Sequence, residues 1–134
     1  MNSKLNNQNV RASVAMATYN GEKYISEQIE TILKFLGVND EIVISCDPST
    51  DKTIEIVKYY SMLDNRIKVI MNIGEHGVVP NFCNAIANCK GRYIFLCDQD
   101  DVWINDKVER VIEKFECENA WLVIHDADVV DQNK

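Results

Sequence analysis

The chain has 134 residues, enough for about one domain, and its 46% hydrophobic and 26% charged residues are typical of a globular protein. A formal net charge of −7 argues against a nucleic-acid-binding protein, which normally presents a basic surface. The longest apolar runs are about five residues, far below the roughly 18 that a membrane helix needs. The polar residues 1–9 lack the apolar core of a signal peptide. We therefore predict a cytoplasmic protein whose residues 1–9 form a disordered N-terminus.

Short apolar runs alternate with segments of helical period along the chain. The first run, residues 10–17, is followed by a helical pattern over residues 22–35 in which Ile25, Ile29 and Ile32 recur at helical spacing. The same alternation predicts strands over 41–45, 66–71, 92–97 and 121–124, and helices over 51–60, 80–88 and from residue 105 or 106 onward. The predicted fold class is therefore α/β, with a mainly parallel sheet covered on both faces.

Polar clusters follow three of the predicted strands: Thr18-Tyr19-Asn20, Asp47-Pro48-Ser49 and Asp98-Gln99-Asp100. In parallel α/β sheets, ligands bind beyond the carboxyl ends of the strands, and these ends share one edge of the sheet. We therefore expect the three clusters, although distant in sequence, to meet in space and form one binding site.

The acidic cluster permits two interpretations. Asp98, Asp100 and Asp101 would repel one another at the end of a strand unless a cation lies between them, and Mg²⁺ prefers one or two carboxylates plus substrate phosphates. The alternative is a solvated turn that caps the next helix. Asp47 can likewise cap a helix or bind a ligand, and Tyr19 can stack on a base or cover the sheet edge. Spacing alone does not decide between these interpretations.

Several motifs of other enzyme classes are absent from the sequence. No Gly-rich dinucleotide fingerprint follows the first strand, and there is no GxxxxGK[ST] loop or GxSxG elbow. The five cysteines contain no Cys-x-x-Cys pair, which argues against zinc ribbons and fingers. The sequence therefore supports neither a nicotinamide enzyme nor a P-loop nucleotidase.

Four ordered segments carry a resemblance to family 2 glycosyltransferases of the GT-A fold, in particular their nucleotide-sugar-binding part and rhamnosyltransferase-like members. Residues 14–24 resemble the opening strand and its P-T-Y-N-G-E turn, and residues 47–51 resemble the D-D-G-S-T-D loop. Residues 72–82 are similar to the N-x-G…N-F segment, and residues 91–103 resemble the strand that carries the DXD motif. The resemblance covers residues 10–131 and implies a Rossmann-like nucleotide-diphospho-sugar transferase fold.

The resemblance also implies the site residues and the cofactor. Nucleotide contacts are implied for Ala17, Thr18, Tyr19, Asn20, Asp47 and Asp98. Asp98 and Asp100 are implied as the DXD pair that holds Mn²⁺ or Mg²⁺, with Asp100 nearer the metal. The sequence departs from the family pattern at Cys46 and Pro48 in the base-binding loop, and at Pro80, where many members have Lys or Arg.

The implied function is metal-dependent transfer of a sugar from a UDP- or dTDP-sugar to a saccharide or lipid-linked acceptor in bacterial surface polysaccharide synthesis. Residues 10–134 are expected to be a truncated donor-binding part, inactive in transfer by itself, with the acceptor-binding part absent and the catalytic base beyond Lys134. No nucleic acid is expected as a partner, a homodimer is left open, and the full-length protein is expected in the cytoplasm or at the inner face of the membrane. The alternatives are a non-catalytic nucleotide-binding module and a haloacid-dehalogenase-like phosphatase, whose first motif resembles the segment from Asp98 to Val102.

Overall fold

The computed structural model describes residues 9–131 and shows strands alternating with helices. The elements are β1 (Ala12–Thr18), α1 (Ile25–Leu33), β2 (Glu41–Cys46), α2 (Thr53–Leu63), β3 (Ile67–Met71), α3 (Val78–Ala87), β4 (Tyr93–Asp98) and α4 (Lys107–Glu118). The predicted alternation is thus confirmed from the first strand to the fourth helix. The polar segment predicted as disordered lies, except for Asn9, outside the described residues.

The four strands form one parallel sheet in the order β3-β2-β1-β4. Strand β1 lies between β2 and β4, and its last residues pair with theirs: Thr18 with Cys46, and Ala17 with Asp98. Because all strands run in the same direction, the segments that follow β1, β2 and β4 leave the sheet at the same edge. The predicted parallel α/β sheet is therefore confirmed.

Both faces of the sheet carry helices. One face holds the main apolar cluster, in which Met16 and Ile44 of the sheet pack with Ile29 of α1, Val57 of α2 and Ile112 of α4. On the other face α3 packs against β1 and β2. Strand β2 is buried along its whole length, as the apolar run over residues 42–44 leads one to expect for a central parallel strand, and its polar residues Glu41 and Ser45 are buried with it. Among residues 9–131, no helix is long and apolar enough to cross a membrane.

The predicted fifth strand over residues 121–124 is wrong. The described chain has no regular structure after α4, and Trp121 is 98% exposed, with Leu122 and Ile124 also largely in solvent. A strand needs a neighbour for its backbone hydrogen bonds and a covered face for its side chains, and this segment has neither in the structure. An apolar run of four residues was too short a signal to establish a strand without a pairing partner.

A partly buried ion pair lies at the end of the sheet opposite the polar clusters. The Arg11 guanidinium donates to both carboxylate oxygens of Asp40, at 2.9 and 2.6 Å, and also contacts Glu109 of α4. The Asp40 carboxylate, which is fully buried, also accepts the backbone N–H groups of Ala12 and Gly37. Burial raises the pKa of Asp40. The Arg11 guanidinium and the backbone N–H groups lower the pKa by more than burial raises it, so the pKa lies below its ordinary value.

We predict that Asp40→Asn lowers the free energy of unfolding by about 2 kcal/mol at neutral pH, because it removes a charged acceptor from four donors. The pKa of Asp40 is lower in the folded chain, so this contribution is present above the ordinary value of 3.8 and is lost as the pH falls through the folded value. Urea unfolding of both proteins between neutral and acid pH measures the difference, which should shrink toward acid. Glu118→Gln, which breaks the exposed pair with Lys114, is the control and should leave stability unchanged.

Candidate functional site

A cleft of about 390 Å³ lies where the strands end, and six of the seven predicted site residues line it. They are Ala17, Thr18, Tyr19, Asp47, Asp98 and Asp100. The Tyr19 side chain is 55% exposed, whereas Thr18 and Asp47 are buried in the wall. The parallel order of the strands therefore brings three distant parts of the sequence into one concave site, the usual form of a small-molecule site.

Asn20 does not line this cleft and holds two loops together instead. Its side-chain oxygen accepts the backbone N–H of Thr50 at 2.9 Å, and its own N–H donates to the Ser49 hydroxyl at 3.1 Å. Its backbone has a φ of 45°, a left-handed conformation that Asn tolerates better than most residues. Asn20 was predicted to contact the nucleotide. In the structure it connects the loop after β1 to the loop after β2.

The next residues of the same turn continue this framework. The Gly21 N–H donates to the Thr53 hydroxyl at 2.7 Å, and the Glu22 N–H donates to the Asp51 carboxylate at 3.0 Å. Glu22 in turn accepts the N–H of Lys52 through its carboxylate at 3.1 Å. The loop after β1 and the loop after β2 are therefore joined by side-chain to backbone bonds in both directions, which holds the wall of the cleft in place.

Asp47 anchors a third loop, residues 72–77. One carboxylate oxygen accepts the Asn72 side-chain amide at 2.7 Å, and the other accepts the N–H of Gly77 at 2.8 Å. Gly77 has a φ of 123°, which favours glycine, and it directly precedes α3. The carboxylate predicted to contact the base therefore has each oxygen already in one hydrogen bond, and each oxygen can still accept another from a ligand in the cleft that Asp47 lines.

Asn81 of α3 leaves one polar atom without a partner at the cleft. Its side-chain N–H donates to the Thr18 carbonyl at 3.1 Å, while its side-chain oxygen is buried and has no hydrogen-bond partner. A buried acceptor without a donor destabilises a protein by about 1–3 kcal/mol. Since Asn81 lines the cleft, this oxygen is an acceptor that a donor group of a ligand could satisfy.

Acidic residues stand at and after the end of β4, and Lys107 is near enough to one of them, Asp101, to interact with its charge. None of the ion pairs found in the described part of the chain includes Asp98, Asp100 or Asp101. Partial loss of hydration, then the charges of Asp101 and Asp100, raise the pKa of Asp98. Removing this repulsion is what a hard divalent cation does when two carboxylates bind it.

The donor set fits a cation that shares its coordination with a ligand. Among residues 9–131, no group of three or more His, Cys, Asp or Glu side chains could hold a metal ion. Mg²⁺ characteristically binds one or two carboxylates and completes its shell with substrate phosphates and water. Asp98 and Asp100 supply two such carboxylates, and both line the cleft.

Five further residues line the cleft that the sequence analysis did not select: Gly77, Val78, Asn81, Phe82 and Gln99. Signals existed for three of them, because Asn81 and Phe82 belong to a segment that carries the family resemblance and Gln99 is the middle residue of the acidic motif. Buried Gln28 of α1 was missed as well. Its side-chain amide donates to the Asp98 carbonyl at 3.1 Å, which supports the acidic loop from inside the molecule.

The sequence model of the Glycosyl transferase family 2 matches residues 13–134. A UDP-Glc:alpha-D-GlcNAc-diphosphoundecaprenol beta-1,3-glucosyltransferase, WfgD of Escherichia coli, is 31% identical over 90% of this chain and 47% of its own length. The dTDP-rhamnosyl transferase RfbG of Shigella flexneri is 34% identical over 78% of this chain and 38% of its own length. The chain thus spans less than half the length of either relative.

Solved structures show the same fold. Residues 1–349 of S. aureus TarS in complex with UDP-GlcNAc superpose with a TM-score of 0.65 and 31% identity, covering 81% of this chain and 31% of that one. The mannosyltransferase PcManGT from Pyrobaculum calidifontis, in complex with GDP-Man and Mn²⁺, gives a TM-score of 0.66 at 20% identity, covering 74% and 30%. The sheet and its helices are therefore of the GT-A type.

We predict that Asp47→Asn speeds hydrogen exchange of the Gly77 amide by about tenfold, because one acceptor oxygen is replaced by an N–H₂ group and the loop is released. Amide exchange followed by NMR measures this directly. Glu75→Gln removes a charge from the same loop without touching the anchoring bonds, and it should leave the Gly77 amide as protected as in the parent chain. Equal protection in Asp47→Asn would show that Asp47 does not anchor the loop.

Proposed function

The chain belongs to glycosyl transferase family 2, and on that basis we propose that residues 12–101 bind the nucleotide part of a UDP- or dTDP-sugar donor. One observation carries this proposal: the exposed ring of Tyr19 and the uncompensated carboxylates of Asp98 and Asp100 line the same cleft. An aromatic face suits a base, and paired carboxylates suit a metal-bound diphosphate. The two ends of a nucleoside diphosphate thus have matching chemistry at one site.

The nucleoside lies, in this proposal, between the loops after β1 and β2. Tyr19 offers a ring on which a base can stack, and its exposure leaves that face free. The unpartnered oxygen of Asn81 and the remaining lone pairs of Asp47 are acceptors for the imide N–H of a pyrimidine or for ribose hydroxyls. Buried acceptors favour a ligand that donates hydrogen bonds, because each is then satisfied on binding.

The diphosphate lies beside the acidic loop and the beginning of α3. A chain of net charge −7 repels a bare diphosphate, so a cation held by Asp98 and Asp100 reverses the local sign. When bound, Mn²⁺ or Mg²⁺ supplies positive charge that stabilises the leaving nucleotide. Gly77 and Val78 bring the positive amino end of α3 to the cleft, which favours phosphate where Pro80 provides no cationic side chain.

We further propose that the whole protein transfers the sugar to a saccharide or lipid-linked acceptor in bacterial surface polysaccharide synthesis. The names of the two relatives, a glucosyltransferase acting on a diphosphoundecaprenol and a rhamnosyl transferase, support this class of reaction. A base must accept the proton of the acceptor hydroxyl. Because Asp47, Asp98 and Asp100 are engaged in loop anchoring or cation binding, we place this base after Lys134. A cytoplasmic or inner-membrane location and a homodimer stay predictions.

A domain that binds nucleotide without transferring sugar is the remaining alternative, since every feature named above concerns the donor alone. Slow hydrolysis of the donor, followed by release of UDP, distinguishes the two functions, because a pure binding module leaves the donor intact. The phosphatase alternative is set aside, because membership of glycosyl transferase family 2 accounts for the strand and the acidic motif together.

We predict that UDP binds at least about tenfold more tightly with Mn²⁺ than after EDTA treatment, because the cation removes the repulsion between the diphosphate and the aspartates. Isothermal titration calorimetry of the 134-residue chain measures both affinities. The Asp106→Asn variant lacks an acid near the loop but outside the cleft lining, and it should keep the full metal effect. Equal affinity for UDP with and without metal would contradict the role given to the acidic pair.

Substitutions of Asp47 and of Asp100 should weaken nucleotide binding in different ways. Asp47→Ala is expected to weaken UMP and UDP by a similar factor, about tenfold, with or without metal, because both ligands lose the acceptor for the nucleoside and the Gly77 anchor alike. Asp100→Ala is expected to weaken only UDP, and only when metal is present, because it acts on the diphosphate through the cation. Titration of both ligands against both variants tests this, and identical losses in all four titrations would refute the assignment.

A further inference from the structure

The side chain of Gln99 lines the cleft and pairs with the backbone of Tyr19. The Tyr19 N–H donates to the Gln99 side-chain oxygen at 3.0 Å, and the Gln99 side-chain nitrogen donates to the Tyr19 carbonyl at 2.9 Å. Both polar ends of one side chain thus bind both polar groups of one residue that lies 80 positions away. We call this reciprocal pair the Gln99 clamp.

Gly21 provides the room that the Gln99 clamp needs. A Cβ atom at this position would lie 2.2 Å from the Gln99 side-chain oxygen and 2.6 Å from its carboxamide carbon. Of the glycines in the described residues, only Gly77 has a positive φ, so Gly21 is not required for its backbone conformation. The glycine in the first loop and the glutamine in the acidic motif are therefore parts of one arrangement.

The clamp joins the two halves of the cleft. On one side Gln99 lies between Asp98 and Asp100, and the Asp98 carbonyl is held from behind by Gln28. On the other side Tyr19 carries the exposed ring that lines the cleft. The same pair of hydrogen bonds thus links the backbone that carries the Tyr19 ring to the residue that lies between the two aspartates.

We propose that Gln99 is a positioning residue that couples the cation at Asp98 and Asp100 to nucleoside binding at Tyr19. A cation that orders the acidic loop orders Tyr19 through the clamp, so a nucleoside binds more tightly even when it has no phosphate to touch the metal. By linkage, the nucleoside raises the affinity for the cation by the same factor. This inference rests on the proposed donor site, and it adds an energetic connection between the two ends of that site.

The experiment measures uridine affinity with and without Mn²⁺, by NMR titration, in the parent chain and in variants. Uridine is the probe because it lacks phosphate. In the parent chain Mn²⁺ should tighten uridine binding by about fivefold, at the lower end of the range of measured couplings. Mg²⁺ replaces Mn²⁺ where paramagnetic broadening of the signals prevents a titration.

Two variants remove the clamp from opposite sides. Gln99→Met keeps the length of the side chain but removes both hydrogen bonds, and Gly21→Ala displaces the carboxamide at its flexible end. In both, the metal effect on uridine should fall to about onefold, and the Tyr19 amide should lose its protection from hydrogen exchange. If Gly21→Ala does not fold, Gln99→Met carries the test alone. Lys23→Met, in the same loop but outside the cleft lining, should keep the full metal effect.

The possible results distinguish a failure of the proposed donor site from a failure of the proposed coupling. A parent chain that binds neither UDP nor uridine overturns the proposed donor site. Suppose instead that the parent chain binds UDP, but metal changes its uridine affinity by the same factor as in both clamp variants. This result overturns the coupling and leaves the donor site intact. A merely structural role of Gln99 would weaken uridine equally with and without metal, and this result too overturns the proposal.

Discussion

Parallel hydrogen bonding of β1 to β2 on one side and to β4 on the other is the constraint on which the site depends. It places Thr18 beside Cys46 and Ala17 beside Asp98, so that the chain leaves three strands at one level. Backbone pairing of this kind is insensitive to the identity of the side chains that follow. The sheet therefore places the three loops next to one another, and the polar residues of the loops determine which ligand binds there.

A second layer of order comes from hydrogen bonds between those loops. Asn20 and Glu22 bind the loop after β2, and Asp47 binds the loop before α3. Several residues of the motifs that suggested a ligand site thus hold backbone N–H groups of neighbouring loops. A motif of this type contains residues that touch the ligand and residues that shape the loops, and the two kinds have the same polar composition.

The sequence allowed the strands, their parallel arrangement and six of the residues that line the cleft to be predicted. The reason is that a buried parallel strand such as β2 leaves a continuous apolar run, and polar residues directly after such runs must lie at one edge. The role of Asn20 and the Gln99 clamp could not be predicted in this way. Both depend on which partner a side-chain amide finds across a gap of about 30 or 80 residues, and periodicity carries no information on that choice. The strand predicted over residues 121–124 was wrong for the opposite reason, because an apolar run indicates burial but does not identify the strand or helix that would bury it.

The outer edge of β4 has a consequence for how this chain behaves in concentrated solution. Within residues 9–131, β4 has no strand on its far side, and Ile94 and Leu96 on its outer face are exposed, as are Trp121, Val129 and Val130 farther along. An unpaired strand edge beside apolar side chains is a template for pairing with other copies, which leads to precipitation and fibrillar assembly. The edge of β4 is therefore a place at which copies of this chain can associate, and charged substitutions at Ile94 or Leu96 would oppose that association without approaching the cleft.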